Sequence, residues 1–237
     1  MRGVGGLAAT VRGALPATLV ATLALVPACA SRTASRGVDE SRTAATGTES
    51  RASTFVYECP DGFSYIARIE GDTARIFIRD RAVALPRVQA ASGAKYADGT
   101  TTFWSKGDEA LLEVGAETHR ACASNRAKAI WEDARLRGVE FRALGQEPGW
   151  FLEIMPGGKL VFVTNYGTER HEFVTPDPIV GPSGESTVYR ARDAGHELTV
   201  LVENRPRRDP MSGELFEATV TVTLDGRTHR GCGRALR

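Results

Sequence analysis

The sequence has no excess of charge of either sign. Its 237 residues carry 30 Lys and Arg against 29 Asp and Glu. Residues 54–122 contain eight basic and ten acidic side chains, and residues 139–237 contain twelve and fourteen. Nucleic-acid binding requires a basic face, so neither segment is predicted to bind nucleic acid. The one basic cluster, Arg205-Pro206-Arg207-Arg208, is short and turn-rich, which favours a solvated loop.

A long apolar run is also missing. Leu15 to Val26 is apolar but shorter than the roughly 20 residues of a membrane-spanning helix. Because Arg2 and Arg12 precede it, the pattern is typical of a signal peptide. Two outcomes are open at its end, since Ala28-Cys29-Ala30 fits ordinary secretion whereas the four residues ending at Cys29 resemble a bacterial lipobox.

We favour the lipoprotein, with residues 1–28 as the signal peptide and Cys29 as the residue that receives the lipid, palmitate included. By the habit of such proteins, Ala30 after the cysteine suggests the outer membrane, with the protein facing the periplasm. Ser31 to Thr54 contains no Ile, Leu or aromatic residue. We therefore expect residues 29–54 to form a flexible tether.

Apolar and polar residues alternate from Phe55 onward, which is typical of β-strands. Asp98-Gly99 is a strong hairpin signal, because both central residues of a type I′ turn need positive φ. Residues 55–123 hold the pattern of seven or eight short strands. They predict a small antiparallel barrel or a sandwich, and strand order alone does not separate the two.

Two cysteines bracket this segment. Cys59 lies at its first strand and Cys122 at its last, and in an oxidising compartment such a pair predicts a disulfide. Metal ligation needs more ligands than two distant cysteines, so we predict no metal here.

The period-two alternation of apolar residues gives way to a spacing of three and four at residues 124–138. Ser124 is a helix N-cap candidate and Gly138 a stop signal, and the segment between them predicts a linking helix with one apolar stripe, formed by Ala127, Ile130, Trp131 and Ala134. Residues 139–237 return to alternation. They predict a second antiparallel β-domain with its own strands and turns, which makes the whole chain all-β apart from the helix.

Four motifs, in order and spacing, make residues 55–122 resemble the membrane-bound inhibitors of C-type lysozyme: Tyr57-x-Cys59, Ser92-Gly93-x-x-Tyr96, Phe103-Trp104-x-Lys106-Gly107-x-x-Ala110, and Cys122. The resemblance implies a small antiparallel β-barrel and a C-type lysozyme as partner. It implies that two loops, carrying Ser92 and Lys106, enter the lysozyme cleft. Tyr96 joins these two in the predicted contact set, as the residue that supports the loop.

Residues 139–237 resemble an uncharacterised bacterial lipoprotein domain. The matching motifs are Gly145-x-Glu147-Pro148-x-Trp150, Asp209-x-Met211-Ser212-Gly213 and Gly231-Cys232-Gly233. That family often has a cysteine two residues before the aspartate, where this chain has Arg207. Cys232 is therefore expected to be unpaired, and the resemblance implies no activity.

Three rival patterns point to other chemistry. Ser92-Gly93-Ala94-Lys95 fits the Ser-x-x-Lys motif of penicillin-recognising enzymes, but the helix start and the Lys-Thr-Gly strand that such enzymes need are missing. A metal site could be assembled from His171, His196, His229 and Cys232, although polar histidines on exposed strand faces are the simpler interpretation. Glu147 and Trp150 could line a glycan or peptide groove, although a turn with Trp150 in the core is favoured.

The sequence therefore predicts an envelope lipoprotein that inhibits C-type lysozyme, with no enzymatic activity and no cofactor. The alternative is an envelope structural or sensing lipoprotein that binds cell-wall or other ligands without potent inhibition.

Overall fold

The structure, a computed structural model, describes residues 52–193 and 195–236. The predicted signal peptide, Cys29 and most of the tether lie outside these residues. Within them, no helix is both long enough and apolar enough to cross a membrane.

Eight antiparallel strands, in chain order, close into a barrel, so the barrel that the resemblance implied is confirmed and the sandwich is excluded. The strands are β1 (Ser53–Glu58), β2 (Ser64–Glu70), β3 (Thr73–Ile78), β4 (Arg81–Val88), β5 (Ala94–Ala97), β6 (Thr101–Lys106), β7 (Glu109–Val114) and β8 (Glu117–Ser124). Closure rests on two register pairs between β1 and β8, Tyr57 with Ser124 and Glu58 with Ala123.

Alternation along each strand fills the barrel with apolar side chains. The stacked rings of Tyr57 and Tyr65 lie 5.3 Å apart, and Phe103 contacts both. The predicted disulfide between Cys59 and Cys122 is present and joins the residue that follows β1 to strand β8, across 63 residues of sequence. The small core is thereby held by a covalent link at its seam.

One helix follows the barrel, α1 (Arg126–Leu136). The prediction that Ser124 caps it is wrong, because Ser124 is still paired with Tyr57 in the barrel. The N-cap is Asn125, whose side chain accepts a hydrogen bond of 3.0 Å from the backbone N–H of Lys128. Gly138, with a φ of 85°, follows the C-cap residue Arg137, as the stop signal predicted.

Only half of the predicted apolar stripe of α1 is buried. Trp131 and Ala134 are buried, and Trp131 contacts Phe216, a residue of the second half of the chain, with ring centroids 5.4 Å apart. Ala127 is exposed and Ile130 is 45% exposed, so the prediction is wrong for these two residues. Ile130 lies at a surface cavity that is also lined by Thr54 and Phe55 of β1.

The second half contains a curled antiparallel sheet of nine strands and a two-stranded ribbon. In chain order the strands are β9 (Phe141–Gly145), β10 (Trp150–Ile154), β11 (Lys159–Thr164), β12 (Glu169–Val174), β13 (Ile179–Val180), β14 (Ser186–Asp193), β15 (His196–Glu203), β16 (Arg207–Arg208), β17 (Leu215–Phe216), β18 (Ala218–Leu224) and β19 (Arg227–Ala235). The sheet order is β12-β11-β10-β9-β19-β18-β15-β14-β13, and β16 with β17 forms the ribbon. The predicted all-β class is confirmed.

A network of charged side chains links the barrel to the second sheet through α1. Asp133 on the helix accepts a hydrogen bond of 2.8 Å from Thr54 of β1. The pKa of Asp133 is lowered, because burial, which raises it, is outweighed by hydrogen bonds from Arg137 and Thr54. Arg137 donates across 2.7 Å to Glu153 of β10, which is 3% exposed. Arg142 of β9 contacts the same carboxylate, and burial lowers the pKa of Arg142 to about 10.

Candidate functional site

The loop that carries Ser92 connects β4 to β5 and lies against the end of β6. Gly93 adopts a φ of 70°, in the left-handed region that favours glycine. A Cβ placed there would lie 3.2 Å from Lys106 Cβ and would clash with the carbonyl oxygen of Ser105. Glycine is therefore required at this position, because it lets the Ser92 loop touch the strand end that carries Lys106.

Trp104 anchors the same loop from β6. Its indole N–H donates a hydrogen bond of 2.8 Å to the carbonyl oxygen of Ser92. The ring is 38% exposed, so it forms part of the surface beside Ser92. Trp104 belongs to one of the four sequence motifs but is not among the predicted contact residues Ser92, Tyr96 and Lys106. The period-two alternation could have identified Trp104 as a surface residue, because Phe103 points into the barrel and the next residue must point outward.

Lys106 is the last residue of β6, opposite Glu109 at the start of β7. Gly107, with a φ of 63°, and Asp108 make the turn between them. The Lys106 side chain is exposed and forms no ion pair with any described residue. The turn therefore presents a free ammonium next to the Ser92 loop.

Tyr96 lies under this surface. It is 2% exposed and stacks on Phe103 with ring centroids 6.0 Å apart, while the guanidinium of Arg87 lies 6.0 Å from the centre of its ring. Tyr96 thus occupies a supporting position two residues from the start of β5. In this structure it has almost no exposed surface with which to contact a partner directly, unlike Ser92 and Lys106.

The Ser-x-x-Lys pattern does not have the geometry of an acylase. Ser92 lies in a loop and Lys95 lies on strand β5, whereas that chemistry needs the serine at the start of a helix.

The four residues of the possible metal site do not come together. His171 and His196 are neighbours, with ring centroids 4.8 Å apart, and His196 shares a hydrogen bond of 2.6 Å with Asp225. His229 packs instead on the ring of Phe162, and burial lowers its pKa. Cys232 lies in a separate cluster with Trp131. Within residues 52–193 and 195–236, no group of three or more His, Cys, Asp or Glu side chains is arranged to hold a metal ion.

Trp150 lies in the core of the curled sheet, and an edge of it also lines a surface cavity that it shares with Glu147 and His229. It is 5% exposed, and its indole packs against the backbone of Gly145 and Gly231, where any Cβ would clash with the ring. The structural interpretation of the Gly-x-Glu-Pro-x-Trp motif is therefore favoured. Glu147 remains exposed at the turn, with a φ of 60°.

Comparison with known proteins finds similarity in the barrel segment. Residues 57–121 match the model of the family described as membrane-bound lysozyme inhibitor of C-type lysozyme. The chain is 48% identical over 42 residues to a membrane-bound lysozyme inhibitor of C-type lysozyme from Yersinia enterocolitica serotype O:8. This alignment covers 18% of the chain and 36% of that protein, so the chain spans about a third of the relative's length.

These matches confirm the resemblance predicted for the barrel segment. No solved structure matches the chain. The resemblance proposed for residues 139–237 is not tested by these comparisons and stays a prediction.

Proposed function

We propose that the barrel inhibits a C-type lysozyme by inserting the Ser92 loop and the Lys106 turn into its active-site cleft. The family match and the relative's name support lysozyme inhibition in general. The observation that carries the finer proposal is the close approach of Gly93 to the end of β6, where an added Cβ would lie 3.2 Å from Lys106 Cβ. It brings an exposed hydroxyl and an unpaired ammonium together at one edge of a rigid barrel.

The chemistry of the two groups suits such a cleft. A C-type lysozyme works with two carboxyl groups, one protonated and one ionised. An ammonium on a long stem donates three hydrogen bonds and neutralises a carboxylate. A hydroxyl both donates and accepts, so it suits the carboxyl in either protonation state. The exposed ring of Trp104 adds an aromatic surface of the kind that is enriched at binding hot spots.

Preorganisation supports the same proposal. The Ser92 loop is held by a hydrogen bond from Trp104 and by the contact at Gly93, and the barrel beneath it is closed by a disulfide. Fewer degrees of freedom then need to be ordered on binding, which lowers its entropic cost. The small acidic excess of residues 54–122 would also attract a basic lysozyme.

The test is a turbidity assay in which the mature chain is titrated against a C-type lysozyme acting on bacterial cell walls. We expect loss of lytic activity that saturates at a one-to-one ratio, and no effect on a lysozyme of another structural class. Undiminished lysis at a large molar excess would reject inhibition and favour the alternative, an envelope structural or sensing lipoprotein.

The proposed location is the periplasmic face of the outer membrane, with Cys29 lipidated and residues 29–52 as the tether. Ser53 and Thr54, which the sequence predicted as tether, belong to β1. A flexible tether of that length spans a few tens of Å, at about 5–6 Å times the square root of the number of residues. Metabolic labelling with a fatty-acid probe tests this, with Cys29→Ser as the control. An unlabelled mature protein that starts at Ser31 would demonstrate ordinary secretion instead.

We also propose the division into barrel (residues 55–123), linking helix (124–138) and second β-domain (139–237). Limited proteolysis within the linking segment tests it. The second domain is expected to keep its β-sheet circular dichroism after cleavage, and an unfolded C-terminal fragment would mean that the two halves share one cooperative unit.

A further inference from the structure

Two carboxylates lie close to Lys106, yet neither is paired with it. Asp108 is two residues further along the turn, and Glu109 is the register partner of Lys106 across the hairpin. A lysine between two such neighbours has ready partners for an ion pair. The described residues nevertheless include no ion pair to this ammonium.

The carboxylate of Asp108 is already paired with Arg126, the first residue of α1. Arg126 Nη2 donates a hydrogen bond of 2.6 Å to Asp108 Oδ1. The turn itself is held in place from the same side, because the backbone N–H of Ser124 donates to the carbonyl oxygen of Asp108 across 2.8 Å. The carboxylate next to Lys106 therefore points to the helix.

The start of α1 is held against the barrel by contacts that do not involve Asp108. The side-chain amide of Asn125 donates a hydrogen bond of 2.9 Å to Glu58 of β1, and Lys128 pairs with the same carboxylate. The backbone N–H of Asn125 also donates to Val56 across 2.7 Å. Arg126 is thus presented to the turn by a helix start that is fixed independently.

We propose that Arg126 is a positioning residue for the Lys106 ammonium. By occupying Asp108 it keeps this carboxylate from capturing Lys106, so that the ammonium stays free for a carboxyl group of the lysozyme. The inference rests on the proposed function. It assigns a part in that function to a residue outside the matched segment, which ends at residue 121.

The size of the effect follows from the exposure of the groups. Arg126 and Asp108 have side-chain exposures of 81% and 69%, and an exposed ion pair shifts an equilibrium by about fivefold at most. Without Arg126, an ion pair between Asp108 and Lys106 would compete with binding to that extent. We therefore expect Arg126→Ala to raise the inhibition constant about two- to fivefold.

A double-mutant cycle in the full chain tests the inference. Arg126→Ala is measured with Asp108 present and again in an Asp108→Asn background, where the carboxylate that Arg126 binds is gone while Glu109 is present in both backgrounds. The expected result is weakened inhibition in the first background and no change in the second. An equal loss in both backgrounds, or no loss in either, overturns the inference.

A second measurement does not depend on lysozyme. The rate of acetylation of each lysine by a water-soluble reagent is followed by mass spectrometry, because an amine engaged in an ion pair reacts more slowly. Lys159, which is paired with Glu172, is the internal reference. Arg126→Ala should slow acetylation of Lys106 relative to Lys159, and Asp108→Asn should restore it.

The outcomes separate the two proposals. If Lys106→Ala inhibits as well as the parent chain, the proposed function fails, and the acetylation rates still decide whether Arg126 controls the ammonium. If Lys106→Ala abolishes inhibition but the cycle and the acetylation rates reveal no coupling between Arg126 and Asp108, only the present inference fails.

Discussion

The indole N–H of Trp104 donates its hydrogen bond to the backbone carbonyl of Ser92, across 2.8 Å. Because the backbone is the acceptor, the loop is held without using the Ser92 hydroxyl. Trp104 and Gly93 hold the loop, whereas the proposed contact groups are the exposed Ser92 hydroxyl and the exposed Lys106 ammonium. Substitutions can test the two roles separately.

Lys106→Ala is expected to weaken inhibition by about 2–5 kcal/mol, the range for truncating one partner of a buried, hydrogen-bonded charge pair in a complex. Inhibition constants from turbidity assays measure it. Lys159→Ala is the matched control, since it removes a lysine from the second half of the chain. The unfolding midpoint of the Lys106 variant should stay unchanged, because the side chain is exposed. Equal inhibition by the Lys106 variant and the parent would contradict the proposed mechanism.

Ser92→Ala is expected to cost less, about 1–2 kcal/mol of binding, as for the loss of a single hydrogen bond. The backbone carbonyl held by Trp104 is retained, so the loop should keep its place. Ser183→Ala, at an exposed turn of the second half, is the control. The measurement is again the inhibition constant. A loss as large as that of Lys106→Ala would indicate that the serine does more than make one hydrogen bond.

Gly93→Ala should displace the loop and weaken inhibition, because the new Cβ would clash with the Ser105 carbonyl oxygen and crowd Lys106. Gly99→Ala is a sharp control. Gly99 also has a positive φ, of 93°, but a Cβ there meets nothing within 4 Å. Both variants should lose about 1 kcal/mol of stability from the left-handed backbone, and only Gly93→Ala should also lose inhibition. Identical inhibition by the two variants would mean that the position of the loop does not matter.

Glu153→Gln is expected to lower the free energy of unfolding by about 3–5 kcal/mol, because it leaves the buried guanidinium of Arg142 without a counter-charge. Chemical denaturation measures the change. Glu172→Gln, which removes an exposed carboxylate paired with Lys159 and Arg170, should have a much smaller effect. Similar losses in the two variants would argue against a stabilising role for the buried network.

Cys232 should resist alkylation in the folded protein at pH 8. Its thiol is buried, and burial raises its pKa to about 11, so the reactive thiolate is scarce. Peptide mapping after iodoacetamide treatment should find the Cys232 peptide labelled only once the chain is unfolded. Cys59 and Cys122 should react only after reduction. A bridge from either of them to Cys232 would overturn the pairing seen in the structure.

Most of the barrel could be predicted from local sequence. Alternation located the strands, and the Asp98-Gly99 dipeptide located the hairpin between β5 and β6. The predicted type I′ turn is wrong, because only Gly99 of these two residues has a positive φ. Closure could not be predicted in the same way, because it depends on two register pairs between strands that are far apart in the chain. The wrong prediction of Ser124 as the N-cap of α1 has the same cause. Ser124 and Asn125 are both good N-cap residues, and only the pairing of Ser124 with Tyr57 excludes Ser124.

The candidate site was likewise only partly predictable from the sequence. Motif spacing located Ser92 and Lys106, and the period-two alternation of β6 predicts that Trp104 points outward. The pairs Arg126–Asp108 and Arg142–Glu153 were not accessible to sequence reasoning, because a charged residue in a strand or helix does not indicate which distant partner it will meet. The inward direction of Tyr96 could also be predicted from periodicity, because Tyr96 is the register partner of Phe103 and lies in the same core.

The bond between Cys59 and Cys122 also determines what a single break in the chain can do. A protease that cut the loop between β4 and β5 would act inside the 63-residue interval that the bond spans. The two fragments would remain one molecule, and each strand would still be hydrogen-bonded to its neighbours. Because the two fragments stay joined, damage to this loop would remain local and the surviving hairpins would keep their pairing.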